Sequence, residues 1–324
     1  MKEINIADID GIKIGHSQDS EGGTGCTVLI CEDGASGGVD VRGGAPGTRE
    51  TDLLNPVQMI QKVHSIVLSG GSAFGLDASA GVMEYLENRN VGFDVGVGKV
   101  PIVCQAVIFD LVCANSKIRP NKEMGMAACI DSENYNENIN GNIGAGTGAV
   151  VGKIRGPQFG MKGGLGTYAI QVGDLKIGAV VAVNCLGDVI DPKNGNIIAG
   201  ALNDELKEFV NTENIMINQY DNKNNGFKGN TTIGVIVTNA DLTKGEANKV
   251  ASMAHNGYAR TMRPAHTMFD GDTIFTMATG KVECDVNVAG LLATKVMEEA
   301  IIRAIKSSDS KYGFKSYKEL MEEK

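Results

Sequence analysis

Apolar positions along the chain follow two periods, one of strands and one of helices. Residues 24–31 and 37–42 are β-rich runs separated by Glu32-Asp33-Gly34, which predicts an early antiparallel hairpin. A short buried-type strand is expected over 65–69. A second hairpin is expected from 168–172 and 177–183 across Gly173-Asp174, with further buried strands over 233–238 and 273–279. Helical spacing covers 53–63, 78–88, 197–210, 242–260 and 288–305. In the last of these Val288, Leu292, Val296, Ala300 and Ala304 share one face. The segment 161–167 reads as a glycine turn, and the polar tail from Ser307 onward as a surface segment.

Composition narrows the class. With 324 residues and 42% hydrophobic side chains the chain can bury a sizeable core, and its 43 glycines, spread without a collagen-like period, imply tight turns and close backbone approaches. A net charge of −9 without a basic block argues against nucleic acid as the main partner. The seven cysteines show no C-x-x-C spacing and read as reduced, buried thiols of a cytoplasmic protein. Four scattered histidines form no zinc-type pair, and the start of the chain lacks an apolar signal region. No metal, cofactor or membrane partner is therefore expected.

The chemistry concentrates at one junction. A polar, asparagine-heavy run over 211–230, including Asp221 to Gly226, ends at Gly229-Asn230-Thr231-Thr232 and a β-branched strand. If the Asn230–Thr231 bond breaks, Thr231 holds both a hydroxyl nucleophile and an α-amine of pKa about 7.7–8.0 able to take its proton. Gly229 gives the backbone the freedom that a strained scissile bond needs.

Other candidates are ambiguous taken singly. Asn184 ends a predicted strand, where its carboxamide could donate to an oxyanion or simply form a turn. Asp270-Gly271-Asp272 places two carboxylates at a strand start, where they could position a hydroxyl and an ammonium or cap a turn. The turn around Ser72, Ala73 and Phe74, between a strand and a helix, could wall a substrate cleft; its spacing does not fit the serine-hydrolase elbow. Arg42 and Arg49 could bind anions or be structural. The glycine-rich stretch 141–153 fits neither a phosphate loop nor a dinucleotide fingerprint, and reads as a close-packing element.

Taken in order, the motifs Gly23-Thr24-Gly25-Cys26-Thr27-Val28, Val41-Arg42-Gly43-Gly44-Ala45-Pro46-Gly47-Thr48-Arg49-Glu50, residues 69–75, Gly144-Ala145-Gly146-Thr147-Gly148, Lys162 to Thr167, the Asn184 region and Gly229-Asn230-Thr231-Thr232 span nearly the whole chain. In this the chain resembles the DmpA-type aminopeptidases, the L-aminopeptidase/D-esterases and β-peptidyl aminopeptidases. The resemblance implies an α+β fold, an αββα sandwich of two facing sheets between helix layers. It implies a single domain over 1–324, self-cleaved into 1–230 and 231–324, with Thr231 as nucleophile and Asn184 in the oxyanion hole. Members usually place Ser-x-Glu beside the nucleophile; the matching positions here are Asp270 and Asp272, as in threonine-nucleophile relatives. An aspartate at 270 would raise the Thr231 amine's pKa and weaken it as a base, unless it is protonated or turned away.

The expected activity is hydrolysis of small peptides, amides or esters through an acyl-enzyme, without cofactor. Acyl transfer of the ornithine-acetyltransferase type and a non-catalytic oligomeric ligand-binding role are the rivals. The resemblance also implies a homotetramer.

Overall fold

The structure, a computed structural model, describes residues 1–134, 140–220 and 229–323. Among these residues ten strands form one hydrogen-bonded sheet: β1 (Lys2–Ile4), β2 (Lys13–Asp19), β3 (Thr24–Val41), β4 (Thr48–Arg49), β5 (Lys62–Ser69), β6 (Val103–Val107), β7 (Gly164–Val172), β8 (Leu175–Asn184), β9 (Thr231–Asp241) and β10 (Thr273–Glu283). Their spatial order is β1-β7-β8-β9-β10-β3-β5-β6-β4, with β2 also paired to β3. Pairing is antiparallel except between β9 and β10 and between β5 and β6.

The sheet folds over on itself, so its two halves face each other. Strand periodicity shows how. In β8, Ile177, Ala179, Val181 and Val183 point to the core under helices α4 (Lys244–Thr261) and α5 (Val286–Ser307), while Val180 and Ala182 point to the opposite face. In β3, Cys26, Val28 and Ile30 pack under α1 (Ala78–Glu87) and α2 (Lys122–Asp131), while Leu29 and Cys31 join the inner face. The inner core then unites Leu29, Ile66, Leu68 and Cys104 of one half with Leu165, Val180, Ile233, Val235 and Phe275 of the other. The layers run helix, sheet, sheet, helix, an αββα sandwich of class α+β. With both faces covered, strands such as β9 are buried along nearly their whole length.

Several elements differ from the sequence expectation. The expected 24–42 hairpin is one continuous strand, β3. Glu32-Asp33-Gly34 forms a bulge in which Ile30 pairs with Ser65 and Ala35 with Val63, with Gly34 at φ +75°. The bend hands β3 from β2, which pairs with Thr24–Ile30, to β10, which pairs with Ser36–Val41. Residues 53–63 are not a helix; a single 3-10 turn, Asp52–Leu54, precedes β5. Residues 161–167 carry a two-residue strand and the start of β7, where a Cβ at Gly166 would lie 1.9 Å from the Ala300 carbonyl of α5.

Residues 197–210 are also not helical. Ile197–Ala199 is a strand, and the following turn is held by buried Asp188, which accepts from the N–H of Ala201 and from the N–H and hydroxyl of Thr212. The helix comes later, as α3 (Thr212–Asn218), inside the run expected to be a polar connection; the Asp221 to Gly226 part of that run lies outside the described residues. On α5 the expected face is buried except for Val288. The tail docks rather than trails: Phe314 and Leu320 are buried and α6 (Tyr317–Glu322) closes the chain.

Candidate active site

Register brings the first two site residues together. Asn184, the last residue of β8, is the cross-strand partner of Thr231, the first residue of β9. Both lie in phase with the inward-facing positions Val180, Ala182, Ile233 and Val235, so their side chains share the inter-sheet face at its edge. Both are buried.

Thr231 Oγ1 donates to the carbonyl of Asn230, the bond expected to break, and accepts the Gly271 N–H at 3.0 Å. The residues ahead of it are tightly held. Asn230 N–H donates to the Phe269 carbonyl at 3.2 Å, and a Cβ on Gly229 would lie 2.3 Å from the Phe109 ring. The glycine is thus needed for close approach to an aromatic ring; no left-handed backbone is involved.

The Asn184 carboxamide is oriented by its partners. Its Oδ1 accepts the Val150 N–H at 2.9 Å and the Lys153 ammonium at 2.8 Å, and its Nδ2 donates to the Phe109 carbonyl at 3.1 Å. Two donors on one side and a carbonyl on the other allow only this orientation of the amide. One Nδ2 hydrogen goes to Phe109, and an amide nitrogen carries a second.

Lys153, which sequence reasoning missed, lies against this candidate site. It is buried, its ammonium also donating to the carbonyls of Val150 at 2.7 Å and Asn184 at 3.0 Å. Burial lowers its pKa from the usual lysine value to about 7. Its only sequence signal is a lone cation next to the apolar pair Val150-Val151 inside a glycine-rich run.

The two carboxylates have different surroundings. Asp270 accepts from the Leu186 N–H at 3.2 Å and from the N–H and hydroxyl of Thr267, so its carboxylate is turned onto those groups. Burial, and next the charge of Asp272, push its pKa up to about 6. Asp272 accepts the Thr232 N–H at 2.8 Å on Oδ1, and the N–H and Nδ1 of His266, each at 2.9 Å, on Oδ2. The glycine motif near Arg42 serves this loop: Arg42 and Gly43 N–H groups donate to the Asp272 carbonyl and Ala45 N–H to the Asp270 carbonyl.

Other candidates lie further out. The Arg42 guanidinium pairs with Asp40 at 2.9 Å, and Arg49 donates to the Ser79 hydroxyl. Ser72 N–H donates to the Ile108 carbonyl and Gly71 N–H to Asp110, so the Ser72-Ala73-Phe74 turn is tied to the segment that carries Phe109. Phe74 is exposed beneath the Arg119 guanidinium. Among the described residues no cluster of histidine, cysteine or acidic side chains could hold a metal, and no helix is long and apolar enough to cross a membrane.

A buried hydroxyl, an amide–ammonium pair and two carboxylates thus come together at the edge of an αββα sandwich. The family model for peptidase family S58 matches residues 5–318, and the chain belongs to that family, that of the DmpA-type aminopeptidases. It is 38% identical to an uncharacterized aminopeptidase of Mycobacterium leprae, over 97% of this chain and 93% of that protein. It is 31% identical to a 6-aminohexanoate-oligomer endohydrolase of Kocuria sp., over 92% of this chain and 85% of that protein. Its fold matches the L-aminopeptidase D-Ala-esterase/amidase of Ochrobactrum anthropi, a variant of the Ntn-hydrolase fold, with TM-score 0.69, 17% identity, and 94% of this chain and 86% of that chain covered.

Proposed function

We propose that this S58 hydrolase cuts its own chain between Asn230 and Thr231 and then uses the freed Thr231 to hydrolyse small amides. The observation that carries the reading is the seat of the Thr231 hydroxyl, on the carbonyl of Asn230 and under the Gly271 N–H. In the first reaction Thr231 Oγ1 bonds to the Asn230 carbonyl carbon, the peptide nitrogen leaves as the Thr231 amine, and water hydrolyses the resulting ester. Single-domain integrity survives because β9, which begins at Thr231, stays between β8 and β10.

In turnover the Thr231 amine takes the hydroxyl proton as Oγ1 attacks the substrate carbonyl. The oxyanion faces Asn184 Nδ2, whose N–H acidity is increased by the Lys153 ammonium on Oδ1. The leaving amine departs with a proton, and water releases the acyl group. Asp272 anchors the start of β9 through the Thr232 N–H. Asp270, turned onto Leu186 and Thr267, leaves the amine's pKa lower, and so more of it in the free-base form at neutral pH, than a carboxylate aimed at it would allow.

The substrate class is taken from the family and from two relatives, one called an aminopeptidase and one an oligomer endohydrolase: hydrolysis of amide bonds in small molecules is the chemistry they share. The homotetramer is carried as part of this reading, to be read by light scattering. The reading itself is tested by intact mass, N-terminal sequencing and turnover of amino-acid p-nitroanilides and 6-aminohexanoate oligomers. The expected result is a fragment beginning at Thr231, lost together with activity in Thr231→Ala. An uncut wild-type chain that turns over, or an active Thr231→Ala, overturns it.

A further inference from the structure

Asp272 is held from two sides by unequal partners. Oδ1 takes the Thr232 N–H, the amide next to the proposed nucleophile, whereas Oδ2 takes two donors from one residue, the backbone N–H and Nδ1 of His266. The carboxylate is almost fully buried, so each of these donors counts toward its placement. A carboxylate only accepts, so Nδ1 carries the proton.

His266 takes up an unfavourable backbone to do this. Its φ is +59°, the left-handed region that side chains other than glycine rarely enter, although asparagine, aspartate and histidine tolerate it best. That conformation lets the residue's own N–H and its ring converge on a single oxygen. The ring is held from behind by α4: His255 meets it edge-on with centroids 4.8 Å apart, and Tyr258 stacks on it at 6.1 Å. His255 in turn is fixed by its Nε2–H on the Asp40 carbonyl of β3 at 2.9 Å.

We infer that His266 is the positioning residue of Asp272: through Nδ1–H it locks the carboxylate onto the Thr232 amide and thereby fixes the place of Thr231. The inference rests on the reading of Thr231 as nucleophile for its effect on turnover, but not for its effect on Asp272.

Two substitutions separate the donor from the backbone. In His266→Asn the side-chain amide nitrogen stands where Nδ1 stood, on a residue that accepts positive φ. In His266→Gly the φ is relieved and the donor is gone. Hydrogen exchange at the Thr232 amide, read by NMR, reports the Asp272 lock whatever the nucleophile; kcat and KM report its consequence, with a thermal melt confirming that both variants are folded. The expected result is faster Thr232 exchange and a kcat lower by about 10²-fold with KM little changed in His266→Gly, both restored toward wild type in His266→Asn. Equal behaviour of the two variants, whether both intact or both impaired, overturns the inference, as does faster exchange without a fall in kcat. Failure of the Thr231 reading shows separately, as activity in Thr231→Ala, and leaves the exchange comparison to decide on His266.

Discussion

Lys153 and Asn184 form a buried amide–ammonium pair, with Nζ 2.8 Å from Oδ1, and the same lysine caps the Asn184 backbone carbonyl at 3.0 Å. The pair converts an ordinary strand-end asparagine into a fixed dipole whose N–H end faces away from a cation. Because Asn184 is register partner to Thr231, that dipole is delivered to the proposed nucleophile by sheet pairing alone.

Removing the donor end of the dipole tests its role. Asn184→Asp keeps the shape and the acceptor for Lys153 but replaces the Nδ2 donors with an oxygen. The expected outcome is a kcat lower by about 10²–10³-fold, the cost of one oxyanion donor, with KM changed much less. Steady-state kinetics on folded, mass-verified protein checks it.

The lysine also leaves a signature in stability. Its pKa is about 7 in the fold, depressed by burial, against an ordinary value of 10.5 when the chain is unfolded. Between those values the unfolded chain binds the extra proton, so stability rises as pH rises from about 7 toward 10.5 and the penalty of the buried charge is fully present below about 7. Lys162, lowered to about 8 by burial, contributes in the same direction. Lys153→Met is therefore expected to reduce the rise in denaturant midpoint between pH 7 and pH 10, as well as to impair turnover. An unchanged rise contradicts the assignment.

Much of the site is written in residue types that chemistry demands in particular places. Thr231 stands out because a β-branched strand begins abruptly after a polar run. Asp270-Gly271-Asp272 stands out because two carboxylates at a strand start need a reason. Lys153 does not, since nothing local says that one lysine among glycines will be buried; that follows only when β8 and the Gly144 to Lys153 stretch are packed together. The fold shows the same divide. Helices α4 and α5 and the β7–β8 hairpin are legible from period and turn chemistry. The Glu32-Asp33-Gly34 segment is not, because a bulge and a hairpin turn both want a positive-φ glycine, and only the pairing of β3 with β2, β5 and β10 decides between them. Residues 197–210 read as helix because the period was correct while the competing partner, Asp188, lies elsewhere in the chain.

The carboxylate pair predicts the acid limb of the rate profile. Burial and the neighbouring charge of Asp272 raise Asp270 from 3.8 to about 6, so Asp270 carries a proton below that pH and is ionised above it. Since ionised Asp270 is the form that accepts from Thr267 and Leu186, kcat/KM is expected to rise through an apparent pKa of about 6. In Asp270→Asn this limb disappears. The sign for stability is opposite: the fold binds the extra proton between 3.8 and about 6, so this group's contribution to stability falls as pH rises through that window. A pH–rate profile and a pH series of denaturant midpoints, each on wild type and Asp270→Asn, check the two halves separately.

Gly271 offers the sharpest steric test of where the Thr231 hydroxyl lies. A Cβ built there would meet the Ala45 carbonyl at 2.7 Å, Thr231 Oγ1 at 2.8 Å and Pro46 Cα at 3.1 Å. Two of these are backbone atoms in the loop that clamps the carboxylates, so the hydroxyl is the neighbour most able to move. Gly271→Ala is thus expected to push Thr231 Oγ1 off the Asn230 carbonyl and slow self-cleavage by orders of magnitude, so that intact mass shows the full-length chain. The overpacking itself costs about 1–3 kcal/mol of stability, small enough for a folded precursor to be isolated. Gly229→Ala makes the instructive contrast: its Cβ would strike the Phe109 ring and not the hydroxyl, so Phe109→Leu should partly relieve it while leaving Gly271→Ala uncut. Rescue of both variants by Phe109→Leu would mean that the obstruction in each is general crowding and that the hydroxyl's position is not what Gly271 protects.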